Sequence, residues 1–296
     1  MRVFLTGATG FIGSAIIDEL TAAGHEVAGL ARSDEGEAKL AERGVTALRG
    51  DVAEPERLAE FARAHDGVIH CAYDHDFTNY LKSGEIELAV VAVMTEALAG
   101  TGKPFVIASG MTAGALGRPA TEADPADLEG WTAVRGRPEA MALAAAAENV
   151  RSAAVRLSPS VHDRERQGLV PMMIQAARAK GVSAYVGDGS NRWPAVHRRD
   201  AARLFRLGLE RAEPGQRLHA VGEEGVPIRA IAEAIGERLG VPARSIAPED
   251  AAEHFGWIGF IVAADIPATA AATCESLGWT PTWPGLLEGL RGDYVV

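Results

Sequence analysis

The residues best suited to holding a charged ligand come first in the chain: Thr6-Gly7-Ala8-Thr9-Gly10-Phe11-Ile12-Gly13, preceded by the apolar run Val3-Phe4-Leu5. Glycines at this spacing let backbone N–H groups approach an anion with no Cβ in the way. The apolar residues that follow, Ile12, Ala15, Ile16 and Leu20, make the turn the start of a helix. A helix N-terminus adds partial positive charge and free N–H donors. A strand, a glycine turn and a helix in this order form a pyrophosphate site: Gly7 takes the tight turn, Gly10 allows the close approach, and Gly13 lets the helix pack on the strand. The spacing is G-x-x-G-x-x-G, not the more general G-x-G-x-x-G.

A dinucleotide on that turn is read next at the end of the second strand. A protein selecting NAD places an acid there for the ribose hydroxyls, and that charge would repel a 2′-phosphate. Here the strand Glu26–Leu30 runs into Ala31-Arg32-Ser33, with Arg32 standing 19 positions beyond Gly13. A guanidinium can grip a phosphate bidentately, and Ser33 adds a hydroxyl and a backbone donor. The expected cofactor is therefore NADPH/NADP+.

The elements that must position these residues alternate. Strands are expected at Val3–Leu5, Glu26–Leu30, Thr46–Arg49, Gly67–Cys71, Pro104–Ser109 and Ala153–Leu157, with helices over 12–22, 35–43, 55–64, about 85–100 and about 133–147. Such alternation predicts an α/β fold, a doubly wound parallel Rossmann sheet with helices on both faces and ligands beyond the carboxyl ends of its strands. After Leu157 the pattern turns to longer segments rich in Pro, Gly and Trp, which reads as a smaller C-terminal substrate lobe. The expected division is 1–160 for the dinucleotide domain and 161–296 for the lobe, with segments near 194–222 returning to the sheet.

Composition excludes several classes of function. The 296 residues are 47% hydrophobic and 23% charged, an ordinary globular balance. A net charge of −11 argues against nucleic acid or an anionic membrane surface as a partner. Cys71 and Cys274 lie far apart with no metal-ligand spacing, so no metal is expected and a reducing cytoplasm fits. The chain opens on a strand without a charged segment ahead of a long apolar run, and no run approaches the roughly 20 apolar residues of a membrane span.

Thr-Gly-Ala-Thr-Gly-Phe-Ile-Gly, together with Arg156-Leu157-Ser158-Pro159 at a later strand end, resembles the extended and atypical short-chain dehydrogenases/reductases over most of the chain. The resemblance implies cofactor contacts at Thr9, Phe11 and Ile12. It implies an adenine contact at Asp51-Val52, and small residues beside the ribose and diphosphate at Cys71-Ala72-Tyr73. The nicotinamide would lie near Pro159-Ser160-Val161. Family members carry a Ser after the fifth strand, then Tyr-x-x-x-Lys, then a Glu. Counting back from Arg156 places Glu139 at the Glu, Arg135 at the Lys and Trp131 at the Tyr, while the serine's place falls to Ser109 or Thr112.

Trp131 has no usable acid and Arg135 does not deprotonate. Arg135 could keep the ribose-holding part of the lysine's work, and Ser109 or Thr112 could orient a substrate. Three accounts follow. A different acid acts, from Tyr73, Tyr185, His162, His197 or water; or the substrate is an iminium cation that takes hydride directly, with aromatic support from Trp131 or Trp193; or the protein only senses the cofactor's redox state. The segment 182–200, with its Gly-rich turn, resembles the family's substrate-pocket segment, which would turn Tyr185, Trp193 and His197, with Tyr73, toward a small-molecule substrate. The expected function is NADPH-dependent reduction at a C=O or C=N bond, with a sugar-nucleotide epimerase or a non-catalytic NADP(H) sensor as alternatives. Relatives commonly dimerise through helices near 85–100 and 133–147, so a homodimer is expected.

Overall fold

The computed structural model describes residues 1–73, 79–111, 116–130, 132–164, 168–292 and 294. The first half alternates as β1 (Arg2–Thr6), α1 (Phe11–Ala22), β2 (Glu26–Ala31), α2 (Asp34–Glu42), β3 (Thr46–Arg49), α3 (Pro55–Ala64), β4 (Gly67–His70), α4 (Tyr80–Leu98), β5 (Pro104–Gly110), α5 (Ala133–Ala144) and β6 (Arg151–Leu157). It continues through β7 (Ser160–His162), α6 (Leu169–Lys180), β8 (Ser183–Val186), β9 (Arg192–His197), α7 (Arg198–Arg211), β10 (Gln216–Ala220), β11 (Glu223–Pro227), α8 (Ile228–Leu239) and β12 (Ala243–Ile246).

Seven strands form one parallel sheet in the order β10-β6-β5-β4-β1-β2-β3. The strand order reverses between β1 and β4, so loops at their carboxyl ends diverge and leave a crevice there. Side chains alternate across the sheet. Val3, Leu5, Ile69, Val106 and Val155 join the core under α1 and α7, whereas Phe4, Val68, Phe105, Ile107 and Ala154 join the core under α3, α4 and α5. Burial on both faces explains why these strands read as unbroken apolar runs. This is an α/β, Rossmann-like architecture.

A three-stranded sheet, β11-β9-β7, and a two-stranded sheet, β12-β8, lie outside the central one. Their core combines Trp193, Val226, Ile231, Ile235, Phe255 and Leu286. The helix expected to run to about residue 147 leaves α-geometry at Ala144 and ends in a 3₁₀ turn, Ala145–Glu148, with Asn149 in the left-handed region at φ 55°. The strands β7, β11 and β12 have no apolar run to announce them, because pairing with a neighbour defines them. No helix among the described residues is long and apolar enough to cross a membrane.

Candidate active site

The glycine turn is closed by the Gly10 N–H donating to the Gly7 carbonyl at 2.9 Å. Gly7 has φ +69°, and a Cβ on it would stand 2.7 Å from the Cys71 carbonyl carbon; one on Gly13 would stand 2.0 Å from the Gly7 oxygen. These two positions admit no side chain, so the turn, the end of β4 and α1 are locked together at backbone distance. Gly10 faces solvent at the start of α1. The N–H groups of Phe11 and Ile12 there have no carbonyl one turn back within the helix.

Thr6, which carries no chemistry by type, ties this arrangement together. Its buried hydroxyl accepts the N–H groups of Cys71 at 3.2 Å and Ala72 at 3.1 Å and therefore donates its own proton to His70 Nδ1 at 2.7 Å. His70 is thus neutral with its proton on Nε2, and burial pushes its pKa down to about 3. That Nε2 and the Ser160 hydroxyl are buried with no hydrogen-bond partner among the described residues. Burial likewise pushes the Cys71 thiol up, so it stays protonated. Backbone donors at an open helix start, a turn with no room for side chains and the unmatched Ser160 hydroxyl after β6 fit a bound dinucleotide. Thr9 is exposed, and Ala72, Tyr73, Pro159 and Val161 are half-buried around the same edge.

At the other end of the crevice Arg32 is exposed just past β2, and no ion pair or hydrogen bond engages it among the described residues. Ser33 begins α2, its hydroxyl accepting the Gly36 N–H at 3.2 Å. Arg49, beside them on β3, is occupied by Asp34 at 2.6 Å and Glu37 at 3.2 Å. Asp51 takes the Ala53 N–H at 2.9 Å, holding its carboxyl in the turn before Pro55 with the half-buried Val52 alongside.

The reacting end differs from expectation. Ser109 is 2% exposed and spends its hydroxyl on Glu139 at 2.8 Å, so it is not the free group expected to orient a substrate. Glu139 is itself clamped by the fully buried Arg156, Nη2 to Oε1 at 2.6 Å, a structural ion pair beneath the site. Thr112 and Trp131 lie outside the described residues. Arg135 is also more committed than a ribose-holding side chain would be. It pairs with the buried Glu87 on α4, donates to the Ala108 carbonyl at 2.9 Å and lays its guanidinium 4.1 Å from the centroid of the Tyr73 ring. Desolvation raises the Glu87 carboxyl to about 7 against the opposing pull of Arg135.

The structure gives three of the substrate candidates other contacts. Trp193 is fully buried and donates its indole N–H to the Ile261 carbonyl at 3.0 Å, which makes it a core residue of the outer sheets. Tyr185 sits on β8, near Gly189 and with Arg229 5.6 Å from its ring. His197 accepts the Arg199 N–H at 3.2 Å, starting α7, and stacks on Trp283 at 5.0 Å. Sequence reasoning missed Arg198: it donates to the Phe11 carbonyl at 3.3 Å, lies 4.7 Å from that ring's centroid and pairs with Asp163 at 2.8 Å. No motif announces it, because α7 meets the glycine turn only through the fold.

The family model described as "NAD dependent epimerase/dehydratase family" matches residues 3–221. The chain is 44% identical to the uncharacterized protein YLL056C of Saccharomyces cerevisiae over 99% of each chain. It is 29% identical to a 2-alkyl-3-oxoalkanoate reductase of Stenotrophomonas maltophilia, covering 73% of this chain and 67% of that one. Among solved structures, the dTDP-glucose 4,6-dehydratase DesIV of Streptomyces venezuelae, with NAD and TYD bound, superposes with a TM-score of 0.78 at 20% identity, covering 98% of this chain and 95% of that one. The UDP-glucose 4-epimerase of Thermotoga maritima gives 0.78 at 18% identity, covering 98% and 96%. The glycine turn, the reversed strand order and the match to the family model agree: the chain belongs to the NAD dependent epimerase/dehydratase family, the extended short-chain dehydrogenases/reductases, NAD(P)-dependent oxidoreductases on a Rossmann-like sheet.

Proposed function

We propose that the protein is an NADPH-dependent reductase acting on a small organic substrate at a C=O or C=N bond. The observation that carries this reading is Arg32, an exposed guanidinium just past β2 with no partner among the described residues, where an acid would select NAD. A 2′-phosphate marks the cofactor used for reductive chemistry, and Arg32 suits it. When bound, the reduced nicotinamide supplies a hydride. The chain's own residues do the rest: Phe11 and Ile12 offer N–H groups to the pyrophosphate, Asp51 reads the adenine, and the Ser160 hydroxyl stands free for the carboxamide beside Pro159 and Val161. A ketone as acceptor is supported by the 3-oxoalkanoate reductase relative.

A sugar-nucleotide epimerase has less support, since Trp131 and Arg135 stand where that chemistry uses Tyr and Lys. The test is NADPH consumption against matched ketones, enones and cyclic imines over a range of pH. Turnover of ketones or imines with NADPH preferred over NADH is the expected result. NADPH binding without turnover of any of them would overturn the reductase reading in favour of a sensor.

A further inference from the structure

Building on the reductase reading, we propose that Tyr73 is the proton donor of the reaction and that Arg135 activates it, so that the acid comes from the end of β4 and not from α5. β4 pairs with β5 through Val68↔Phe105, Ile69↔Val106 and His70↔Ile107. Tyr73, three residues beyond β4, therefore emerges on the same carboxyl edge as Gly110 and directly after the Cys71–Ala72 backbone against which Gly7 packs. Across that edge α5 sends Arg135, at the place of the family's lysine, with its guanidinium 4.1 Å from the centre of the Tyr73 ring. A cation against the ring face stabilises the negative charge that spreads over a phenolate once its proton leaves. Arg135 is held there from two sides, by Glu87 on α4 and by the Ala108 carbonyl on β5. Among the described residues, the guanidinium also acts on His70, Cys71, Tyr80 and Glu87.

The chain's other tyrosines are less suited. Tyr80 begins α4 and Tyr294 lies in the outer-sheet core, neither directly after the end of β4. Tyr185 also has an arginine near its ring, but at 5.6 Å from the centroid, and β8 lies outside the central sheet. In the step itself the carbonyl carbon takes the hydride of the reduced nicotinamide and the carbonyl oxygen takes the phenolic proton of Tyr73. The substrate gains two electrons, the dinucleotide loses two, and the phenolate recovers its proton from solvent. An iminium substrate, whose nitrogen already carries its hydrogen, needs no such proton.

The first experiment follows tyrosinate absorbance during alkaline titration, which requires no turnover. One ionisation should vanish in Tyr73→Phe. In the double variant Arg135→Met/Glu87→Gln, which leaves no lone buried charge, that same ionisation should move up by about one pH unit. Arg135→Lys should restore most of the shift. An ionisation unmoved by loss of Arg135 overturns the pairing. The second experiment compares substrates. Tyr73→Phe should lower kcat on a ketone about 100-fold or more, and lower turnover of a preformed iminium far less. Unchanged ketone turnover removes Tyr73 from the acid's role. If the wild-type protein reduces nothing, the reductase reading fails, and the titration still decides the Tyr73–Arg135 pairing.

Discussion

Replacing Arg32 with Ala tests the cofactor assignment most directly, because no other side chain or backbone group among the described residues engages it. It is exposed and unpaired among the described residues, while the start of α2 depends on Ser33, so the fold should be disturbed by no more than about 0.5 kcal/mol. Two charge-assisted hydrogen bonds from a guanidinium to a 2′-phosphate would be worth roughly 1.5–3 kcal/mol each if buried. At an exposed site, screening and side-chain ordering reduce the pair to about 2 kcal/mol in all. That corresponds to a Kd for NADPH raised about 30-fold. Arg49 does not compensate, since Asp34 and Glu37 already hold it. NADH lacks the phosphate, so its Kd should stay within about twofold. Titrations following nicotinamide fluorescence at low and high salt measure both constants, and the wild-type preference for NADPH should shrink with salt while the variant's should not. Equal weakening of both cofactors, or of neither, would refute the reasoning from Arg32.

Gly13→Ala forces a methyl group against the Gly7 carbonyl and should destabilise the protein by about 2 kcal/mol or more, read as a fall in Tm and weaker dinucleotide binding; an unchanged Tm would show that the turn yields. Arg156→Met strands the Glu139 carboxylate in the core and should cost about 3–5 kcal/mol in a denaturant melt, whereas the pair-free Arg156→Met/Glu139→Gln should recover much of it. Glu87 titrates near 7 in the folded protein against 4.5 as its ordinary value, so the folded state holds the extra proton and the group's stabilising contribution is lost as pH rises between them. Tm for the wild type should therefore fall relative to Glu87→Gln from pH 5 to pH 8, and parallel curves would contradict the assignment. His70 has the opposite sign: held neutral with a pKa near 3 against 6.5, it favours the folded state at neutral pH and loses that contribution as pH falls through this window. His70→Asn should flatten the acid side of the stability profile.

What was legible in the sequence follows from local physics. Short apolar strands in alternation with amphipathic helices imply a parallel sheet covered on both faces, and three closely spaced glycines between a strand and a helix imply a backbone surface for an anion. The exposed place of Arg32 just past β2 is readable because it depends only on distance along the chain from that turn. Periodicity did not show β7, β11 or β12, whose residues become strands only through pairing with segments far away.

Side chains whose chemistry depends on neighbours remote in sequence were decided by the tertiary structure alone. Ser109 looks like a free hydroxyl until Glu139, thirty residues on, accepts its hydrogen bond. Trp193 looks like a pocket aromatic until the carbonyl of Ile261 accepts its N–H and the core closes around it. Thr6 is an unremarked strand residue until β4 comes alongside and its hydroxyl fixes the tautomer of His70. Arg135 reads as a lysine substitute from its position, yet only the packing of α5 against α4 and β5 brings it to Glu87, Ala108 and Tyr73. Local sequence determines which backbone can form and where an anion can rest on it. Hydrogen bonds and charge pairs between distant segments determine which side chains remain free to react, because each buried polar group must find a partner wherever the fold supplies one.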